Sequence, residues 1–393
     1  MVGPLSDVVV IDLTRALAGP HAAMMLGDLG AKVIKVESPD GGDDSRGWGP
    51  PFVGVGAHRQ STYFMSCNRN KESVTADLKS PAGASFLRRL VAQADVVIDN
   101  FRPGVLDRLG LSYDELQAIN PRLVILSITG FGHDGPEGGR PGYDQIAQGE
   151  AGLMALTGPS EGEPTKVGVP IADLLAGMHG AFGVVAALHE RARTGRGTVV
   201  RTSLLAAVVS VHAYQGTRWT VAGETPRAPG NHHPSIAPYG LFATADAPVQ
   251  IACGSQSLWR VFAPLVGLDS ADARFATNEL RVARRDELTA LIEAAFAKRP
   301  ARHWLERLAA AGVPAGQVRS VDEVYDWDQT RSQGLLIEVD DPYLGQVRLP
   351  GPALRLDDLA YAGGRAEHLP PPRLGEHNLA VRAWLDHRES GVL

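Results

Sequence analysis

Short runs of β-branched and aliphatic residues alternate with helix-spaced segments through the first third of the chain. Val8–Leu13 (VVVIDL) predicts a buried strand running into the loop Thr14–Pro20, and His21–Leu29 carries apolar residues at helical spacing. Val33–Glu37 (VIKVE) predicts the next strand. Ala82–Gln93 predicts a helix before a strand at Asp95–Ile98, and Tyr113–Ile119 a short helix before a strand at Leu123–Thr129. Such alternation builds βαβ crossovers, and therefore a parallel sheet covered on both faces. Ligands of these sheets bind at the carboxyl ends of the strands, here Thr14–Pro20, Asp40–Pro51, Asn100–Gly104 and Gly130–Tyr143.

Further on, a Gly-bounded apolar segment (Pro170–Gly180) leads into a long helix ending near Arg193, with a turn at Thr194–Gly197. A second region opens near Gly216. It has a Pro/Gly/His-rich loop (Pro226–Gly240), a strand at Val249–Ala252, and helices over Ser257–Ala263, Arg285–Ala297 and Ala301–Ala311. Leu335–Val339 and Gln346–Leu349 predict a hairpin, and Asn378–His387 a closing helix. The expected division is a large α/β domain over residues 1–200, joined by the returning tail 335–393, and a small domain over 220–330.

Composition narrows the function. The 393 residues are 44% hydrophobic and 21% charged, as in soluble globular proteins, and the net charge is −6 without any Lys/Arg-rich run. Nucleic acid is therefore not an expected partner. The longest apolar stretches, Ala181–Leu188 and Leu204–Val211, fall short of the ~20 residues of a membrane span. Met1–Asp12 lacks a basic leader, and two cysteines, Cys67 and Cys253, cannot build a disulfide framework. A cytoplasmic protein is expected.

Two literal motifs lose their usual meaning in context. Gly130–Gly135 (GFGHDG) follows a strand like a dinucleotide fingerprint, but Pro136-Glu-Gly-Gly-Arg-Pro141 cannot start the required helix. Gly158-Pro-Ser-Glu-Gly162 reads GxSxG, yet no helix follows Ser160, which makes it a turn residue rather than a nucleophile. The adjacent His232 and His233 lack metal-ligand spacing, so no metal site is expected. Asp173 stands out: a carboxylate inside the apolar stretch Val167–Gly177 is costly unless it is hydrogen-bonded or functional. Its other reading is the N-cap of the helix that follows, and one residue can serve both ends.

Val10–Pro20, Leu29–Glu37, Gly42–Arg46, Asn68–Lys71, Asp99–Gly104 and the Asp173 segment together resemble the class III CoA-transferases of the CaiB/BaiF type. That family includes formyl-CoA, carnitine-CoA and bile-acid CoA transferases and the α-methylacyl-CoA racemases. The resemblance implies a Rossmann-like large domain, a smaller α+β domain, and two chains interlocked as a homodimer through extended linkers near 195–225 and 325–350. It places Asp173 at the family's catalytic aspartate, where a carboxylate attacks an acyl-CoA thioester and CoA passes to a free carboxylic acid. CoA thioesters would be substrates, with no tightly bound cofactor. Positions matching the family's CoA contacts are Arg15, Ala16, Ala18, Lys71, Asn100, Phe101, Arg102 and Arg108. Ser38 replaces a basic residue of formyl-CoA transferase, and Arg46 could substitute. Arg46, Arg15 and His232 are candidates for a distal substrate carboxylate, and Gly230 for an oxyanion donor. The His-His-Pro loop and Tyr239 resemble members acting on succinate, mesaconate or glutarate. The alternative on the same fold is a racemase, which needs a proton-transfer group on each face of the α-carbon. Tyr143, beside Asp144, stands where that branch has histidine, which favours the transferase; His133 lies ten residues earlier.

Overall fold

The computed structural model describes residues 3–356 and 363–390, with Ala57 as backbone only. Six parallel strands form one sheet in the spatial order Lys71–Thr75, Lys32–Glu37, Val9–Asp12, Val96–Asp99, Val124–Thr129, Val199–Ser203. Strand order reverses between Val9–Asp12 and Val96–Asp99. The chain first builds outward on one side, then crosses to the other, leaving a crevice at the carboxyl ends of those two strands.

Both faces are covered, which explains the nearly continuous apolar strands. Val10, Val33, Val96, Ile98, Leu126 and Ile128 pack under helices Ala18–Asp28, Ile171–Thr194 and Leu204–Ser210. Val9, Ile11, Ile34, Val97 and Ile125 pack under Pro81–Ala92, Tyr113–Ile119 and the closing helix Asn378–Ser390. The tail is tied back to the edge strand, where Asn378 Oδ1 accepts from the Thr75 amide at 2.8 Å.

The chain divides into two compact units. One comprises residues 1–153, 167–223 and 327–393; the other comprises 154–166 and 224–326. Residues 154–166 thus cluster with the second unit, although they lie inside the expected first domain. Within the second unit, Ala315–Gln317, Val249–Ala252 and Tyr239–Phe242 form a three-stranded antiparallel sheet. Its core is aromatic: Trp259, Phe262, Phe275, Phe296 and Trp304 are buried.

Three sequence expectations change. Lys71–Thr75 and Val199–Ser203 are the two edge strands of the large sheet, neither anticipated. Polar residues fill both (KESVT, VVRTS), so neither shows the apolar run of a central strand. Residues 204–222 are not an extended linker but the helices Leu204–Ser210 and Ala213–Ala222. Ile171–Thr194 is one 24-residue helix, apolar and long enough to cross a membrane by composition, where the sequence showed only shorter apolar runs.

That helix approaches Ala18–Asp28 through a glycine. A Cβ on Gly177 would fall 2.6 Å from the Ala18 carbonyl oxygen and 3.1 Å from the His21 ring. Gly177→Ala forces the two helices apart, and its expected cost is about 1–3 kcal/mol. The measurement is the chemical denaturation midpoint; an unchanged midpoint would show that the contact is slack.

Candidate functional site

Asp173 lies in the first turn of Ile171–Thr194, not at its N-cap. Pro170 holds the cap position, and no local side chain caps the helix. Asp144 does so from outside. Its Oδ1 accepts from the amides of Ala172 at 2.7 Å and Asp173 at 3.3 Å, satisfying donors that a helix start leaves orphaned. Buried Gln148 completes the arrangement, donating to Asp144 Oδ2 at 2.6 Å and accepting from the Val167 amide at 2.9 Å. The Asp173 carboxylate is thus freed from capping.

Burial, with the Asp144 charge adding to it, pushes the Asp173 carboxyl up to about 7. Sequence periodicity carries no information on this shift, because the second carboxylate lies 29 residues away. A raised pKa makes the ionised form a stronger nucleophile at the expense of its population at neutral pH. Tyr63 shares the neighbourhood: burial and then Asp173 push its phenol up, so it stays protonated. Tyr63 and Leu174 pack against Leu17, Met24 and Cys67, and Trp48 meets the Tyr63 ring edge-on at 4.9 Å. Sequence reading missed Trp48, Tyr63 and Gln148. They belong to no linear motif that contains Asp173.

The switch-point crevice forms a second feature, a cavity of about 190 Å³ whose lining includes Leu13, Arg15, Ser38, Lys79, Phe101 and Leu109. Asn100 clamps its two loops, accepting from the Arg15 amide at 3.0 Å and donating to the Arg15 carbonyl at 2.8 Å. The Arg15 guanidinium lies 5.9 Å from the Phe101 ring centre and is half exposed. Ala16 has φ 66° and is fixed by its amide bond to Asp43 Oδ1 at 3.0 Å, while Ala18 opens its helix and is buried. Lys79 escaped notice because the strand before it did; without Lys71–Thr75, its carboxyl-end loop was absent from the ligand-facing set.

Several expected contacts lie elsewhere. Lys71 cannot reach a phosphate: its side chain has no exposure, and its ammonium bonds Asp12, the Pro20 carbonyl and Asn68 at 2.8–2.9 Å. Arg46 is taken up by Glu37 through two bonds of 2.6–2.7 Å and by the Pro372 carbonyl, so it braces a loop rather than presenting a free charge. Arg102 faces a neighbouring cavity, as does His133, and Arg108 lines neither. Tyr143 precedes the helix Asp144–Glu150 and is exposed. In the other unit, Gly230 takes φ 61° and His232 packs against Phe242, its imidazole pushed down by burial and Arg285. Ser160 is an exposed turn residue bonded to Glu163 at 2.5 Å.

Comparison with known proteins bears on this arrangement. The model of CoA-transferase family III matches residues 5–378. The succinate–glutarate CoA-transferase of Agrobacterium fabrum is 40% identical over 390 residues, covering 98% of this chain and 96% of that protein. The succinyl-CoA:glutarate CoA-transferase of Mus musculus is 39% identical, covering 99% and 88%. Among solved structures, a CaiB/BaiF family protein from Brucella suis is 42% identical with a TM-score of 0.87, covering 98% of this chain and 100% of that one.

The position of Asp173 has a stability consequence. Its folded pKa lies above the ordinary 3.8, so the folded state binds more protons between about pH 4 and 7, and stability falls as pH rises through that window. Asp173→Asn should therefore unfold at higher denaturant concentration than wild type at pH 8, with the gap closing below about pH 4. A gap independent of pH would refute the raised pKa.

Proposed function

The chain belongs to CoA-transferase family III, and from that premise we propose that it moves CoA from an acyl-CoA to a small dicarboxylic acid through Asp173, succinyl-CoA and glutarate being the first pair to test. The observation that carries the role of Asp173 is its half-buried carboxylate, capped by no duty of its own and raised by a neighbouring carboxylate.

The chemistry follows from that group. The Asp173 carboxylate attacks the thioester carbonyl, the C–S bond breaks, and a mixed anhydride forms with release of the CoA thiolate. The thiolate then attacks the aspartyl carbonyl, expelling the first acid as its carboxylate and leaving an aspartyl-CoA thioester. The acceptor carboxylate attacks this thioester, and the returning thiolate takes the new acyl group, regenerating Asp173. Every step exchanges one carboxylate or thiolate for another, so neither an added base nor a resident cofactor is required. The Tyr63 hydroxyl, held protonated, is suited to donate to a developing oxyanion. Arg15 and Lys79 supply the positive charge for CoA phosphates in the switch-point cavity, and Phe101 a flat wall for adenine. The transferase is favoured over the racemase because the charged neighbour of Asp173 is a second carboxylate, while His133 is bonded to Ser127 in a separate cavity.

The same reading includes a homodimer. Met178, Phe182 and Val185, four and three residues apart on Ile171–Thr194, are exposed on one helix face, Phe182 to 74%. Trp219 and Val221 on Ala213–Ala222 are also exposed. Apolar surface of this kind, contiguous along one helix face, is what an obligate interface covers.

With succinyl-CoA and glutarate, mass spectrometry should find glutaryl-CoA, and hydroxylamine quenching should modify Asp173. Asp173→Ala should lose turnover by about 10³-fold or more while binding CoA as before. Wild-type-like turnover in that variant would remove the mechanism. For the assembly, light scattering should give twice the 41.8 kDa chain mass. Phe182→Glu should shift it toward the monomer, and a monomeric wild type would refute the dimer.

A further inference from the structure

Asp99, Ser127 and Arg201 are register partners on three adjacent strands, so their side chains share one face of the sheet. The positions two residues earlier are Val97, Ile125 and Val199, which makes this a polar row on an otherwise apolar face. The transfer chemistry uses none of the three. Tyr113, at the start of its helix, lies over the row: its hydroxyl is 2.8 Å from Asp99 Oδ2 and 2.6 Å from Ser127 Oγ. His133 reaches in from the loop after Val124–Thr129, with Nε2 2.9 Å from Ser127 Oγ.

These groups surround a cavity of about 320 Å³, at the lower end of the range of small-molecule sites. A second recess, about 580 Å³, shares His133 and Arg201 with it. The Arg201 guanidinium stands 5.9 Å from the Tyr113 ring centre, and no carboxylate among the described residues lies within ion-pair distance of it. A cation without a partner beside convergent hydroxyl and imidazole groups in a concave site is arranged for an anion. Asp107 and Asp114 at the rim limit the negative charge the cavity accepts, which favours a single small anionic head over a polyphosphate.

We propose that this cavity binds the carboxylate or phosphate-ester head of a small anionic metabolite, with Arg201 as its charge partner and Ser127 and His133 as hydrogen-bonding groups. The protonation states suit the task. Burial and Arg201 push His133 down, leaving a neutral imidazole that can donate, and Asp99, pushed up to about 6 by burial, accepts from the Tyr113 hydroxyl. The site is distinct from the crevice of Arg15 and Lys79, yet Phe101 lines both cavities, and the segment Phe101–Leu109 contributes to both walls. An occupant of one cavity therefore alters a wall of the other, and CoA affinity should respond to the anion. That coupling rests on the CoA reading above; the binding itself does not.

The test is calorimetric titration of the full chain with acetate and, separately, with methyl phosphate. Acetate as the tighter probe assigns a carboxylate, methyl phosphate a phosphate ester. Arg201→Gln should weaken the tighter probe by about 10-fold, equivalent to ~1.4 kcal/mol, and Arg201→Lys should recover part of it. CoA affinity without the probe should match wild type in both variants, which shows that they fold. Affinity for the probe unchanged by Arg201→Gln, or no saturable binding to wild type, would overturn the site. A CoA affinity indifferent to a saturating probe would overturn the coupling alone.

Discussion

The crevice at the switch point depends on four charges that water never touches. Asp12, Lys35, Asp43 and Lys71 lie beneath the loop Thr14–Pro20, with their side chains fully buried. Lys35 binds Asp43 and the Thr14 carbonyl, and Lys71 binds Asp12 and the Pro20 carbonyl, so the two ammonium groups pin the loop at both ends. Burial alone would push Asp12 up, but Lys35, Lys71 and the Thr14 hydroxyl bring it down to about 2. Losing one member would leave an uncompensated buried charge, a penalty of about 3–5 kcal/mol. The positive φ of Ala16 persists because Asp43, itself anchored by Lys35, accepts its amide.

A different economy governs Asp173. Its carboxylate opposes stability at neutral pH, being half-buried beside another carboxylate, and the structure tolerates it because helix capping is delegated to Asp144. The same residue that satisfies the helix start helps to raise the pKa of the Asp173 carboxyl. Gly177, one turn further, lets this helix sit close to the start of Ala18–Asp28, the end at which the crevice loop enters that helix. Backbone contact between two helices thereby links the Asp173 carboxylate to the crevice loop.

The sheet is polar in two places for one topological reason. Strand carboxyl ends leave backbone and side chains free of helix cover, so Asp12 and Lys35 on one side of the switch point, and Asp99, Ser127 and Arg201 on the other, interrupt apolar strands there. On the first side the charges neutralise one another and stiffen a loop. On the second, a cation remains open to solvent.

By itself, the sequence determined the central strands, most helices and the unusual place of Asp173 in an apolar segment. Central strands of a parallel sheet are apolar runs, and a lone carboxylate in an apolar segment is visible in one dimension. Tertiary structure alone decided the edge strands, because edges tolerate polar residues and lose the periodic signal; with Lys71–Thr75 went Lys79. It also decided which cations are free. Lys71, Arg46 and Arg15 look alike as letters near strand ends, but Lys71 is consumed by buried Asp12 and Arg46 by buried Glu37, whereas Arg15 stays half exposed, with only the exposed Asp44 carboxylate 3.9 Å away. Charge pairing and burial depend on residues tens of positions apart, and only the folded chain brings those together.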